Sequence, residues 1–279
     1  MLIDTHSHLH FKSYDADREA VHMRMAEFGV KTITIGTALN TSRSAVAYAD
    51  VHDDTWAAVG YHPDHVTSTF EDEDEVGALD EPYNVQELEQ IAASSPRVIA
   101  IGETGLDYHH IEGDLETAKT KQHKVFLDHI NLAAKLDKGL VVHMRDAGED
   151  MLAMLQGVRR NHVNLRIVMH AFTGTWREAT NLLDLGCYLG IGGIVTFKPR
   201  KTTLPEDTLE SVVKKMPLER LLLETDAPWL APVPVRGGRN EPTFVRHIAE
   251  HVAQVRGVDY EKICQKTTEN ANQAFATSF

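Results

Sequence analysis

The chain has 279 residues, 42% hydrophobic and 25% charged, the proportions of a soluble globular enzyme, and no apolar run approaches the roughly 18 residues of a membrane span. A formal charge of −13 argues against a broad basic face gripping duplex nucleic acid but leaves room for a deep site carrying its own cations. Two cysteines, Cys187 and Cys264, exclude a disulfide framework and point to a reducing compartment. The first residues, Met1 to His6, show neither a basic region nor a long apolar stretch, so no signal peptide is expected. The expected location is the cytoplasm, with no membrane partner.

In chain order, eight short apolar runs read as strands: residues 2–5, 32–36, 55–59, 98–101, 139–142, 165–169, 187–191 and 221–223. They lack polar alternation, as parallel strands buried on both faces do. Helical patterns fall between them. Over residues 115–136 the apolar side chains of Leu115, Ala118, Val125, Phe126, Ile130, Ala133 and Leu136 keep a three-or-four spacing. Thr175-Trp176-Arg177-Glu178 has the form of a capping box, and Asp146-Ala147-Gly148-Glu149 reads as a variant with Asp146 as the cap. Two helices, 243–256 and 259–275, close the chain. Strict alternation predicts an α/β fold, a single TIM-type (β/α)8 barrel spanning 1–279 as one domain. Residues 66–83 form an acidic insertion after the third strand. Its run Glu71-Asp72-Glu73-Asp74-Glu75 is expected to be a solvated loop.

Catalytic groups of such barrels lie at the C-terminal ends of strands. Here those ends carry His6 and His8, His62, Glu103 and Asp107, His143, His170, and Glu224 and Asp226. Two histidines at i and i+2 on extended chain point to one side and can grip a single ion. Glu103 could bridge two cations, with His143 and His170 completing the second. Asp226 could ligate the first ion and accept a proton. Each feature alone is weak; six strand ends delivering imidazole or carboxylate together point to a metal site. The expected ligands are His6, His8, Glu103, His143, His170 and Asp226. The expected cofactor is two divalent ions, with Mg²⁺, Mn²⁺ and Zn²⁺ all compatible with the mixed donors.

The segments Asp4-Thr5-His6-Ser7-His8, Gly60-Tyr61-His62-Pro63, Ile101 through Tyr108, Val142 through Ala147, His170-Ala171-Phe172-Thr173-Gly174 and Glu224 through Leu230 resemble the TatD family of metal-dependent deoxyribonucleases. They occur in the family's order. Arg239-Asn240-Glu241-Pro242 and Thr267 through Ala271 match as well, so the likeness spans nearly the whole chain. The resemblance implies a two-metal barrel hydrolase of the amidohydrolase superfamily, in which Glu103 takes the place of the modified lysine many members use. The chain departs from the family at Gly237 or Gly238, where a basic residue is usual, and in the length of the acidic insertion.

Among the other candidates, His62 could contact a scissile phosphate or a metal ligand, or shape a turn. Asp107 could orient a histidine ligand or cap the following loop. Glu224 could hold a ligand or a water, or form a buried pair. Arg145 could face substrate or pair with Asp146 or Glu149. His65, His109, His110, His123 and His129 read as ordinary surface, loop or helix residues. The loops after strands seven and eight contain Lys198, Arg200, Lys201, Arg236 and Arg239, where barrels often bind phosphate. Lys198, Arg200, Arg239 and His62 are therefore the expected substrate contacts, and Trp229, Tyr108 and Phe197 could stack on bases or serve packing. The expected activity is a deoxyribonuclease acting on DNA phosphodiesters with a metal-activated water. Glu103 and Asp226 are catalytic, and the substrate is the single-stranded end. An esterase or amidohydrolase, such as an aminoacyl-tRNA deacylase, would use the same site. A metal-stabilised binding protein without turnover is the rival of a different class. A monomer is expected by default.

Overall fold

The computed structural model describes residues 1–67, 73–75, 77–109, 111 and 113–279. Expectations about Glu71, Asp72 and His110 lie outside the described residues. The strands are β1 (Leu2–Ser7), β2 (Val30–Ile35), β3 (Thr55–Val59), β4 (Val98–Asp107), β5 (Gly139–Arg145), β6 (Ile167–Met169), β7 (Tyr188–Ile191) and β8 (Leu221–Leu223). They make one sheet in the order β1-β2-β3-β4-β5-β6-β7-β8. Beyond β8 the chain returns to β1 through a parallel bridge from Ser7 to Ala227. The helices are α1 (Arg18–Phe28), α2 (Leu39–Asp50), α3 (Pro63–Thr67), α4 (Val85–Ala93), α5 (Leu115–Leu136), α6 (Gly148–Asn161), α7 (Trp176–Asp184), α8 (Leu209–Lys215), α9 (Val245–Arg256) and α10 (Tyr260–Phe275). Strand and helix alternate as in a (β/α)8 barrel. None of the described helices is long and apolar enough to cross a membrane.

The chain divides into two compact units. The first comprises Met1–Leu9, Asp17–Thr32 and Met169–Phe279. Here β7 pairs with β8, Leu189 opposite Leu221 and Ile191 opposite Leu223. Asp4, with no exposed surface, locks the β1 end to the chain after β8. It accepts the Thr225 N–H at 2.8 Å and the Thr225 hydroxyl at 2.7 Å. Burial dominates its titration and raises its pKa well above the carboxylate range, although these hydrogen bonds pull the other way. Asn240 closes the same corner by donating to the carbonyls of Thr225 and Trp229. The expected capping box is present at α7: Thr175 accepts from the Glu178 N–H, and Glu178 accepts the Thr175 N–H at 2.7 Å.

The second unit comprises His10–Ala16 and Ile33–Val168. Its strand β4 is buried throughout its ten residues and pairs with β5 as far as Asp107 opposite Arg145. Gly105 lies opposite His143, where a Cβ would strike the His143 carbonyl oxygen. Its φ of +148° is one that residues with side chains seldom adopt. A residue without a side chain is thus what lets β4 run beside the His143 segment. Helix α5 has the predicted limits and buries Ala118, Val125, Phe126, Ile130 and Ala133 as expected, whereas Leu115 is exposed.

Three local expectations are corrected here. Asp146 does not cap α6: the cap position is Ala147, with no side-chain bond, and the Asp146 carboxylate pairs with His109 Nδ1 at 2.8 Å. His65 is buried, not a surface residue, because its Nε2 lies 3.2 Å from Glu75. The described end of the acidic run is likewise held by the fold. Asp74 accepts the Ser13 N–H at 2.7 Å, and Glu75 accepts from the Thr37 hydroxyl.

Candidate metal centre

In the first unit the ligand candidates come from three chain segments. Leu2–Ser7 is extended, and the imidazoles of His6 and His8 converge, with Nε2 atoms 3.2 Å apart. The ring of His170, just past β6, stacks on His6 with centroids 3.4 Å apart. Asp226, three residues beyond β8, brings Oδ1 to 3.8 Å from His6 Nε2, 3.6 Å from His8 Nε2 and 3.7 Å from His170 Nε2. Ligand atoms on a tetrahedral ion with bonds of 2.0–2.1 Å stand about 3.3 Å apart. The donor set therefore has the chemistry and spacing of a cation site. Ala171 and Asp226 both have left-handed backbones, φ +43° and +56°. Such conformations cost free energy and collect at functional sites. Burial opposes ionisation of Asp226, but the fields of His170, His8 and His6 outweigh it and hold its pKa below the ordinary carboxylate value.

Behind His170, Glu224 is wholly buried. Its Oε1 lies 2.9 Å from His170 Nδ1 and accepts the Ala171 N–H at 2.5 Å. A carboxylate beside the distal nitrogen of a metal-ligating imidazole is a common arrangement.

The second unit has its own cluster. Glu103, on β4 and buried, has Oε1 3.4 Å from His62 Nε2 and 3.0 Å from His143 Nδ1. These three residues form a group able to hold an ion. Asp107 Oδ2 lies 2.9 Å from His143 Nε2 while Oδ1 accepts the His109 N–H at 2.7 Å, so this carboxylate both orients the histidine and caps the loop. Burial alone would lower the His143 pKa, yet the flanking Asp107 and Glu103 raise it to about 9. The corresponding contest at Asp107, burial against His143, ends at about 2. A divalent ion would have to displace the His143 proton, as ligation requires. At His62, Nδ1 accepts the Asp64 N–H at 3.2 Å, which leaves Nε2 directed at Glu103.

The sequence matches the TatD related DNase family over residues 3–276. The chain belongs to that family. It is 36% identical over 277 residues, 99% of both chains, to the uncharacterized metal-dependent hydrolase YabD of Bacillus subtilis (strain 168). It is 34% identical over 267 residues, 94% of this chain and 93% of the other, to the 3'-5' ssDNA/RNA exonuclease TatD of Cronobacter sakazakii. The crystal structure of YjjV, a TatD homologue from Escherichia coli K12, superposes with a TM-score of 0.82 at 28% identity, covering 99% of this chain and 98% of that one.

As a TatD-family metal-dependent hydrolase, the chain shows its expected substrate groups in varied settings. Lys198 and Arg200 are exposed in the loop after β7. Arg239 is engaged by Asp17 through two hydrogen bonds of 2.8 and 2.7 Å. Arg236 lies over the Phe197 ring at 4.0 Å, Trp229 meets His8 edge-on at 5.1 Å, and the Tyr108 hydroxyl donates to Asp150 at 2.8 Å. Two histidines that sequence reasoning passed over hold up the site. His129 Nε2 accepts the Tyr61 N–H at 3.0 Å beside His62, and His65 anchors Glu75. Neither sits in a motif distinct from an ordinary helix pattern. One signal was available: His129 falls on the apolar stripe of α5 between Phe126 and Ile130.

Proposed function

We propose that the protein is a metal-dependent nuclease removing nucleotides from single-stranded ends, with the 3'-to-5' direction that the Cronobacter relative's name carries. The observation that carries the proposal is the convergence of His6, His8 and His170 Nε2 on Asp226 Oδ1, all at 3.6–3.8 Å. In this reading His6, His8, Glu103, His143, His170 and Asp226 hold two divalent ions, with Mg²⁺ or Mn²⁺ the first choice for phosphate chemistry. When bound, the ions acidify water and neutralise charge on phosphoryl oxygens.

The chain's own groups do the rest. Asp226, ionised at neutral pH by its histidine neighbours, accepts the proton of the attacking water. Glu224 fixes the His170 ring, and Asp107 fixes the His143 ring. His62 and the exposed Lys198 and Arg200 take the phosphate oxygens as charge develops, and Arg239 joins them when it leaves Asp17. The monomer is the working unit of this reading, as a single domain over 1–279.

Metal-stripped protein with end-labelled single-stranded DNA, Mg²⁺ or Mn²⁺ added back, and an Asp226→Asn control tests the reading. Stepwise shortening that needs both the metal and Asp226 is expected. No cleavage with metal bound would overturn the nuclease reading in favour of ester or amide hydrolysis.

A further inference from the structure

The buried stripe of α5 is otherwise apolar but carries two polar side chains, Gln122 and His129. Neither has any exposed surface. A buried polar group needs hydrogen-bond partners, and both find theirs on the chain segments that carry the Glu103 cluster in the second unit.

The pairing of β4 shows why a polar group is needed there. Strand β3 accompanies it only from Ala57 opposite Val98 to Val59 opposite Ile101. Strand β5 stays beside it as far as Asp107 opposite Arg145. On the side that β3 has left, the buried Asp107 backbone must find partners from outside the ladder. Gln122 supplies them: its Oε1 accepts the Asp107 N–H at 2.9 Å and its Nε2 donates to the Asp107 carbonyl at 2.8 Å. A primary amide offers the donor and acceptor of a peptide group, so one side chain stands in for the missing strand. The reverse orientation of the amide would set donor against donor and acceptor against acceptor, so the network admits one assignment.

The same amide reaches the His62 turn. Nε2 also donates to the Thr67 hydroxyl at 3.0 Å and lies 3.4 Å from the Pro63 carbonyl. Two helical turns along α5, His129 Nε2 accepts the Tyr61 N–H at 3.0 Å. His62 is thus flanked by two residues that α5 holds, Tyr61 before it and Pro63 after it.

We infer that Gln122 is a positioning residue for the cluster of His62, Glu103 and His143. It touches none of the three. It acts through Asp107, whose carboxylate lies 2.9 Å from His143 Nε2, and through the turn that directs His62 Nε2 at Glu103 Oε1. The inference rests on the reading in which this cluster holds an ion. Without the amide, the Asp107 N–H and carbonyl are buried without partners, and the end of β4 and the start of α3 lose their common anchor.

Calorimetric titration with Mn²⁺ is the test. Gln122→Met keeps the length of the side chain and removes its hydrogen bonds. Its Mn²⁺ affinity is expected to fall roughly tenfold, the lower end of the loss that follows removal of a group supporting a ligand. Ile130→Val, from the same buried stripe, should lose stability with its Mn²⁺ affinity at the wild-type value. On end-labelled single-stranded DNA, kcat of Gln122→Met should recover when Mn²⁺ is raised about tenfold, with KM for the DNA unchanged. In the metal-free protein the His109 N–H, which donates to the Asp107 carboxylate, should exchange faster in Gln122→Met than in the wild type. Wild-type Mn²⁺ affinity in Gln122→Met, with stability alone reduced, overturns the inference and leaves Gln122 a packing residue. So does a wild-type protein that binds no Mn²⁺. If Gln122→Met does not fold, Gln122→Glu, which keeps the acceptor and loses the donor, takes its place under the same outcomes. Failure of the wild type to cut DNA overturns only the nuclease reading, because the titration and the exchange are measured without substrate.

Discussion

Glu224 Oε1 lies 2.9 Å from His170 Nδ1, wholly buried, and the same oxygen accepts the Ala171 N–H. One carboxylate therefore lies against the ring of a candidate ligand and holds the left-handed turn that follows it. Glu224→Gln keeps the shape and removes the charge. Metal affinity should fall 10–100-fold, the usual cost of losing such a partner, with little change in thermal stability. Calorimetric titration with Mn²⁺ checks this; wild-type affinity would remove Glu224 from the site.

Gly190 on β7 makes room for that carboxylate. A Cβ there would overlap the Glu224 side chain, and a fully buried neighbour has nowhere to go. Gly190→Ala should cost on the order of 1–3 kcal/mol, as overpacking does, and should weaken metal binding as Glu224→Gln does. Urea unfolding with and without metal separates the two effects. An unaltered midpoint would show that the strand gives way instead.

Glu103 touches both His62 and His143, and it is the residue expected to serve both ions. Glu103→Ala should abolish turnover. Mass spectrometry of the metal content should show both ions lost. Loss of one ion alone would confine Glu103 to the cluster of His62 and His143, and full activity would take it out of the mechanism.

His129 offers a pH signature away from the ligands. Burial lowers its pKa from 6.5 to about 4, against a smaller raising effect of the Val125 carbonyl and Asp128. The neutral ring donates from Nδ1 to the Val125 carbonyl and accepts the Tyr61 N–H at Nε2. Below pH 6.5 the unfolded chain binds a proton that the folded chain refuses. The stabilisation is therefore complete above pH 6.5 and is lost as pH falls toward 4, on the order of 3 kcal/mol in all. Urea midpoints measured from pH 7.5 to 4.5 should fall more steeply for the wild type than for His129→Gln. Parallel curves would contradict the assignment.

The local signals were legible. The strands appear at or near their predicted places, α5 has its predicted limits, and Thr175 caps α7 with Glu178 as its spacing announced. Strand β4 runs to Asp107 rather than Ile101 because its distal half is made by pairing with Val142 through Arg145, a partner that periodicity does not reveal. Asp146 looked like a cap because its spacing to Glu149 is right. Its carboxylate went to His109 instead, 37 residues away.

What the sequence by itself determined is the chemistry: which residue types stand at the strand ends, and an order of motifs that matches one family across 3–276. Side-chain identity and short-range spacing are covalent properties and need no fold to be read. The tertiary structure decided the partners. Asp4 meets Thr225 across 221 positions, Arg239 meets Asp17 across 222, and Glu75 leaves an acidic run to be buried against His65 and Thr37. The fold alone brings Arg239 to Asp17, which stay partly exposed, whereas packing removes water from Asp4 and Glu75, and the burial that makes those two carboxylates seek partners is a property of the folded chain alone.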